Sequence, residues 1–186
     1  YKKEEIDRAL RSNNPREIVP SYDEIGHGTA LASVAAGSSL RSGLSFLGAA
    51  PEADIVMVKL RQAKQNLKDF YLVSEEVPAY AESDLLVALK YLESYAISLV
   101  RPLVICFGLG SNMGNHEGNS ILADCLNQIA TRRSRAVMVC GGNEGNRAHH
   151  YVGTSVEGLT ETTDNVEIRV DGREKGFITE LWGSVP

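Results

Sequence analysis

This chain has little of what would tie it to a nucleic acid, a membrane or a metal. Only 19 of its 186 residues are Lys or Arg, against 24 Asp or Glu, and the net charge of -5 excludes the broad basic surface that phosphate binding needs. Arg132-Arg133 with Arg135 is a short, solvated run at a helix end. No apolar run approaches the ~18 residues of a membrane-crossing helix. Cysteine is scarce: Cys106, Cys125 and Cys140 have no metal-ligand spacing, lie inside apolar segments and read as buried free thiols. His116, His149 and His150 fall on different loops with no carboxylate at a ligand spacing, and no Asp-rich loop marks a calcium site, so neither metal nor cofactor is expected. An initiating Met is also lacking; the segment from Tyr1 to Pro186 reads as cut from something longer.

What is present is an apolar content of 43%, enough for a sizeable core, arranged with two periodicities. Lys3 to Leu10 predicts a short charged helix ending at Asn13-Asn14-Pro15, and Thr29 to Gly37 an apolar, Ala-rich one. Ser83 to Val100 carries a stripe of Leu85, Leu86, Leu89, Leu92, Tyr95, Ala96 and Leu99, and Asn119 to Arg132 a second of Ile121, Leu122, Cys125, Leu126 and Ile129. Between them stand strand-length apolar runs at 54–60, 102–107 and 136–140. Strand, helix, strand, helix, strand with continuous apolar strands predicts an α/β fold, a parallel sheet with helices on both faces. Residues 61–81, with Phe70, Tyr71 and Pro78, are long for a connection and suggest an insertion or functional loop.

The grammar changes after Tyr151. Residues 166–170 alternate, Asp171-Gly172 is a hairpin-type turn, and 177–182 form another strand-like run. A domain boundary is therefore expected between Gly153 and Asp164, with residues 1–158 as part of one α/β domain and 159–186 as the start of an antiparallel, β-rich segment.

Two glycine-framed motifs carry the chemistry. Gly26-His27-Gly28-Thr29 sets an imidazole at the mouth of the Ala-rich helix, where flanking glycines strip away cover and the helix dipole favours the neutral ring a general base needs. Gly141-Gly142-Asn143-Glu144-Gly145 sets a carboxamide just beyond an apolar strand, at the carboxyl edge where open parallel sheets bind ligands. A second strand runs into Gly108-Leu109-Gly110, a backbone that another chain can approach closely. Singly, each is also what a chain uses to turn. Gly108-x-Gly110-x-x-x-Gly114 is one residue too long for a dinucleotide cradle and reaches its helix too late.

Taken in order, Gly26-His-Gly-Thr, Gly48-Ala-Ala-Pro-Glu-Ala-Asp54, Pro102-Leu-Val-Ile-Cys-Phe-Gly-Leu-Gly-Ser111 and Gly141-Gly-Asn-Glu-Gly145 closely resemble the subtilisin-like serine peptidases, the subtilases. The resemblance covers roughly residues 20 to 150. Val58-Lys-Leu with its long following segment, and Asn143-Glu-Gly-Asn-Arg-Ala-His-His-Tyr151, are most similar to the Csp-type subtilases of spore-forming anaerobes, in which a jelly-roll-like β insertion interrupts the catalytic domain. The resemblance implies His27 as general base and Asn143 as side-chain oxyanion donor. It also implies Gly108, Leu109 and Gly110 as the strand edge that pairs with substrate, and Gly141 and Gly142 as a wall of the first specificity pocket. It further implies a Ser-His-Asp endopeptidase, a protein or peptide substrate, a propeptide and remaining catalytic-domain segments as partners, and an extracytoplasmic, secreted or spore-associated location.

The departures are equally definite. The family's Asp-Thr/Ser-Gly strand precedes its His, yet neither Asp7 nor Asp23 has that setting. Gly153-Thr154-Ser155 mimics the family's nucleophile motif, but Val156-Glu157-Gly158 follows where an apolar helix should open. Ala30 stands where the family usually has His, and Ser33 where it has Gly. The segment alone is expected to be inactive, and a catalytically dead subtilase kept for binding or regulation is the alternative.

Overall fold

The computed structural model describes residues 1–38, 46–153, 163 and 165–183. The chain divides into two compact units, Tyr1–Lys59 and Leu60–Pro186.

The first unit holds three helices: α1 (Lys3–Leu10), α2 (Pro15–Ile18) and α3 (His27–Ala36). Glu5 reaches back to the backbone N–H of Lys2 at 2.8 Å, fastening the start of α1. Pro15 opens α2 at the position where its missing N–H costs nothing. The C-terminal end of α3 is closed by the Gly48-Ala-Ala-Pro motif: Ala49 and Ala50 donate to the carbonyls of Val34 and Ala35 at 3.0 and 2.8 Å, and Gly48 to that of Gly37 at 2.7 Å. Gly48 must be glycine here, because a Cβ would sit 2.5 Å from the Gly37 nitrogen. The apolar run 54–60 that predicted a strand forms no ladder among the described residues, and Ile55 and Met57 are exposed. A strand is completed only by a neighbour, so β-branched composition alone does not make one.

The second unit is the α/β part. It comprises α4 (Gln65–Phe70), α5 (Glu82–Leu99), β1 (Leu103–Phe107), α6 (Ile121–Ala130) and β2 (Arg135–Val139). Strands β1 and β2 are parallel and in register from Leu103 opposite Arg135 to Phe107 opposite Val139. Leu89, Ile105, Leu126 and Ile129 form the core, with Leu103, Leu122, Cys125 and Val137 packed around them. Helices α5 and α6 thus layer one face of the sheet; Val104, Cys106 and Met138 project from the other and are exposed. Exposure of Cys106 and Cys140, with Cys125 half-buried, corrects the expectation of buried thiols. Apolar neighbours in sequence do not guarantee burial when strand residues alternate between faces.

Polar contacts fix the two edges of this sandwich. At the amino edge, Glu93 of α5 accepts from Arg132 at 2.9 Å and from Arg135 at 3.3 Å, joining α5, the end of α6 and the start of β2. At the carboxyl edge, Glu82 accepts from the backbone N–H of Leu122, tying the N-termini of α5 and α6. Ser120 caps α6 through the Ala123 N–H at 3.1 Å.

The long connection before α5 closes on itself. The buried Lys68 ammonium donates to the carbonyls of Glu75 and Val77, each at 2.8 Å, and Ala63 donates to Ala79 at the neck. Beyond residue 163, Asp171 forms a turn with Arg173 and Glu174, but neither 166–170 nor 177–182 pairs in a sheet among the described residues. The boundary expected between Gly153 and Asp164, and the Thr154-Ser155 pair, fall outside the described residues.

Candidate active site

His27 is the first residue of α3, and its side chain is exposed. Gly26 before it has φ +87, a left-handed conformation that releases the chain into the helix and that only glycine takes freely. The helix start is held by Asp23. One of its carboxylate oxygens accepts from the N–H groups of Ile25 at 3.0 Å and Gly26 at 2.8 Å; the other accepts from the N–H of Thr29 at 2.9 Å and its hydroxyl at 2.7 Å. Four donors on one carboxylate, led by the Gly26 amide, hold its pKa well below the usual carboxylate range. Asp23 is thus engaged with the backbone around His27 and not with the imidazole. Among the described residues the ring forms no hydrogen bond of its own, which leaves it available to another group.

Beside Asp23 lies a second cluster. Tyr22 has the Arg16 guanidinium 4.3 Å and the Lys59 ammonium 5.2 Å from its ring centre, and Lys59 also pairs with Glu24 at 3.1 Å. These contacts steady the loop that leads into His27.

In the second unit, the glycine loops after β1 and β2 lie side by side. Cys140 continues the ladder by donating its N–H to the Phe107 carbonyl at 3.1 Å, and its thiol lies 3.6 Å from the Leu109 carbonyl. Gly108 and Leu109 are half-buried and Gly110 is exposed. A Cβ on Gly110 or Gly141 would meet open space, so these glycines keep the surface clear instead of relieving a clash. Gly142, at φ +76, makes the bend that presents Asn143. Asn143 is exposed, and its carboxamide has no partner among the described residues.

The residue after it is the anchor. Glu144 accepts from the Asn112 carboxamide at 2.7 Å and lies 3.1 Å from Nδ1 of His149, which is itself 2.9 Å from the Asn112 nitrogen. The Asn112 bond, then His149, depress the Glu144 pKa. The Arg147 N–H closes a turn onto the Glu144 carbonyl at 2.9 Å. The His116 and His150 rings meet with centres 5.4 Å apart. Among the described residues no three His, Cys, Asp or Glu side chains are grouped to hold a metal.

The structure therefore brings Gly108, Leu109, Gly110, Gly141, Gly142 and Asn143 together at the carboxyl edge of β1 and β2, while His27 stands at a helix start in the other unit. Sequence reasoning weighed Asp23 only as a partner for the base and missed it as the cap. Its one signal is the Asp-x-x-Gly spacing of an Asx turn.

An α/β unit with glycine loops at its carboxyl edge, preceded by a helix that opens on a glycine-framed His, defines the class of fold. The subtilase family model matches residues 2–166, and the chain belongs to that family. Its α/β part is accordingly a partial subtilisin-like fold. Among solved structures it is similar to the CspB protease of Clostridium perfringens, with 32% identity and a TM-score of 0.67. That match covers 80% of this chain and 30% of the other, so the chain spans about a third of that protease's length. No curated protein matches.

Proposed function

We propose that this chain is a part of a serine endopeptidase that cleaves proteins through an acyl-enzyme. His27 takes the proton of a Ser hydroxyl as it attacks the scissile carbonyl, then returns it to the leaving amine. Asn143 donates to the oxyanion of the tetrahedral intermediate. Gly108, Leu109 and Gly110 offer backbone to the substrate strand, and Gly141 and Gly142 line the pocket for the side chain before the scissile bond. The Asp that orients His27 and the nucleophilic Ser come from segments of the whole protein other than Asp23 and Ser155.

The observation that carries this reading is the exposed carboxamide of Asn143, which has no partner among the described residues and follows the Gly142 bend in a loop whose first residue, Cys140, meets the loop after β1. A donor that is held ready and left unsatisfied suits a charge that exists only in the transition state. No described helix is long and apolar enough to cross a membrane; an extracytoplasmic location, a propeptide partner and a β-rich insertion beginning near residue 159 complete the proposal.

The test is hydrolysis by the whole protein. His27→Ala should remove turnover, by at least ~10⁴-fold, because no base remains. Asn143→Ala should lower kcat by about 10²–10³-fold, the loss measured for such a donor in a subtilisin, with KM nearly unchanged. The 186-residue chain alone should hydrolyse nothing and should not be labelled by a fluorophosphonate; labelling at Ser155 would reverse the assignment of the nucleophile. Undiminished activity after His27→Ala contradicts the reading, and a whole protein without activity would favour a fold kept for binding.

A further inference from the structure

The loop that follows β1 is tied at both ends. At its inner end the β1–β2 ladder runs on into it: the Cys140 N–H meets the Phe107 carbonyl at 3.1 Å, and the Cys140 thiol lies 3.6 Å from the Leu109 carbonyl. Further along, Ser111 Oγ accepts from the Met113 N–H at 3.1 Å, and His116 Nε2 lies 3.2 Å from the Asn112 carbonyl. At the outer end Gly114, at φ +92, donates its N–H to the Glu180 carboxylate at 2.6 Å. That bond reaches a segment 66 residues further along the chain.

Glu180 is itself held. The Trp182 indole N–H donates to the same carboxylate oxygen at 3.2 Å. The Gly114 amide, then Trp182, lower the Glu180 pKa, and the nearby His116 adds to the effect, so the group is kept ionised as an acceptor. Four residues earlier, Gly176 rests on Leu72 of the long connection before α5, where a Cβ would lie 2.8 Å from Leu72 Cδ1. The stretch from Gly176 to Glu180 therefore bridges that connection and the outer end of the loop after β1. Resting on the protease reading, we propose that Glu180 is a positioning residue for substrate binding. It anchors the outer end of the loop whose inner end, Gly108–Gly110, pairs with the substrate backbone. It touches neither substrate nor the reacting atoms; it acts by setting that edge before the substrate arrives, which favours binding and leaves bond breaking alone.

This assignment makes a prediction that a merely structural bond does not. In the whole protein, Glu180→Ala should raise KM about 10-fold for a peptide long enough to lie along Gly108–Gly110, with kcat little changed, the scale of one charge-assisted hydrogen bond. Nitrophenyl acetate, which offers no backbone to pair, should be hydrolysed as by the wild type. Glu180→Gln keeps an acceptor oxygen for the Gly114 N–H and should restore most of the peptide KM.

An unchanged peptide KM overturns the proposal, as do equal losses on peptide and ester, a fall in kcat with KM unmoved, or a Glu180→Gln variant no better than Glu180→Ala. Each variant's melting temperature accompanies the kinetics. Should Glu180→Ala not fold, Glu180→Asp, one methylene too short for the Gly114 N–H, gives the same comparison. The two readings fail distinguishably. A wild-type protein without hydrolysis sinks both, whereas an active one whose peptide KM is indifferent to Glu180→Ala sinks only the positioning role.

Discussion

Asp23 shows how a single carboxylate can set a helix start and the side chain exposed on it. Its carboxylate collects the N–H groups of Ile25, Gly26 and Thr29 and the Thr29 hydroxyl, and so sets where α3 begins and how His27 is presented. Because these donors favour the ionised form, its folded pKa lies below its unfolded one. The stability it contributes is therefore fully present above the ordinary Asp pKa of about 3.9 and is lost as pH falls from there toward the folded value. Asp23→Asn should lose less stability than the wild type between neutrality and about pH 2, checked by thermal unfolding across that range. Parallel pH profiles for the two proteins would remove Asp23 from this role. The exposed settings of His27, at a helix start between two glycines, and of Asn143, in a glycine loop, were legible in the sequence. Asp23 was not, since three of its four partners are backbone amides that no pattern of side chains reports.

At the scale of elements, periodicity located α1, α3, α5, α6, β1 and β2 to within a residue or two. It worked where a stripe had something to pack against: Leu89 of α5 is 2% exposed, against Ile105, Leu126 and Ile129. Leu89→Ala should destabilise the protein by about 2–5 kcal/mol, read from denaturant unfolding, because the helices and sheet on either side cannot collapse into the space. A loss under about 0.5 kcal/mol would mean that the cluster is not the core. The short α2 and α4 escaped notice because four or six residues are too few to display a stripe, and α4 owes its place to the Lys68 bonds. The runs at 54–60, 166–170 and 177–182 look like strands by composition, yet none is paired among the described residues. Side-chain preference supplies one half of a strand, and the hydrogen-bonding neighbour supplies the other.

For the whole molecule, the order of four motifs was enough to indicate the family, because each marks a different element end: the start of α3, its closure by residues 48–50, and the loops after β1 and β2. The same motifs do not supply the Asp and Ser that the proposed chemistry calls for, and the match spans 30% of the CspB protease. In the proposed reaction His27 and Asn143 act on one bound substrate, and the most direct test is an experimental structure of the whole protein with a fluorophosphonate or peptide boronate bound. Asn143 Nδ2 should lie about 2.7–3.1 Å from the adduct's oxyanion, with His27 within hydrogen-bonding reach of the modified Ser on the other side. An adduct that touches neither residue, or the two side chains on opposite faces of the sheet, would contradict it.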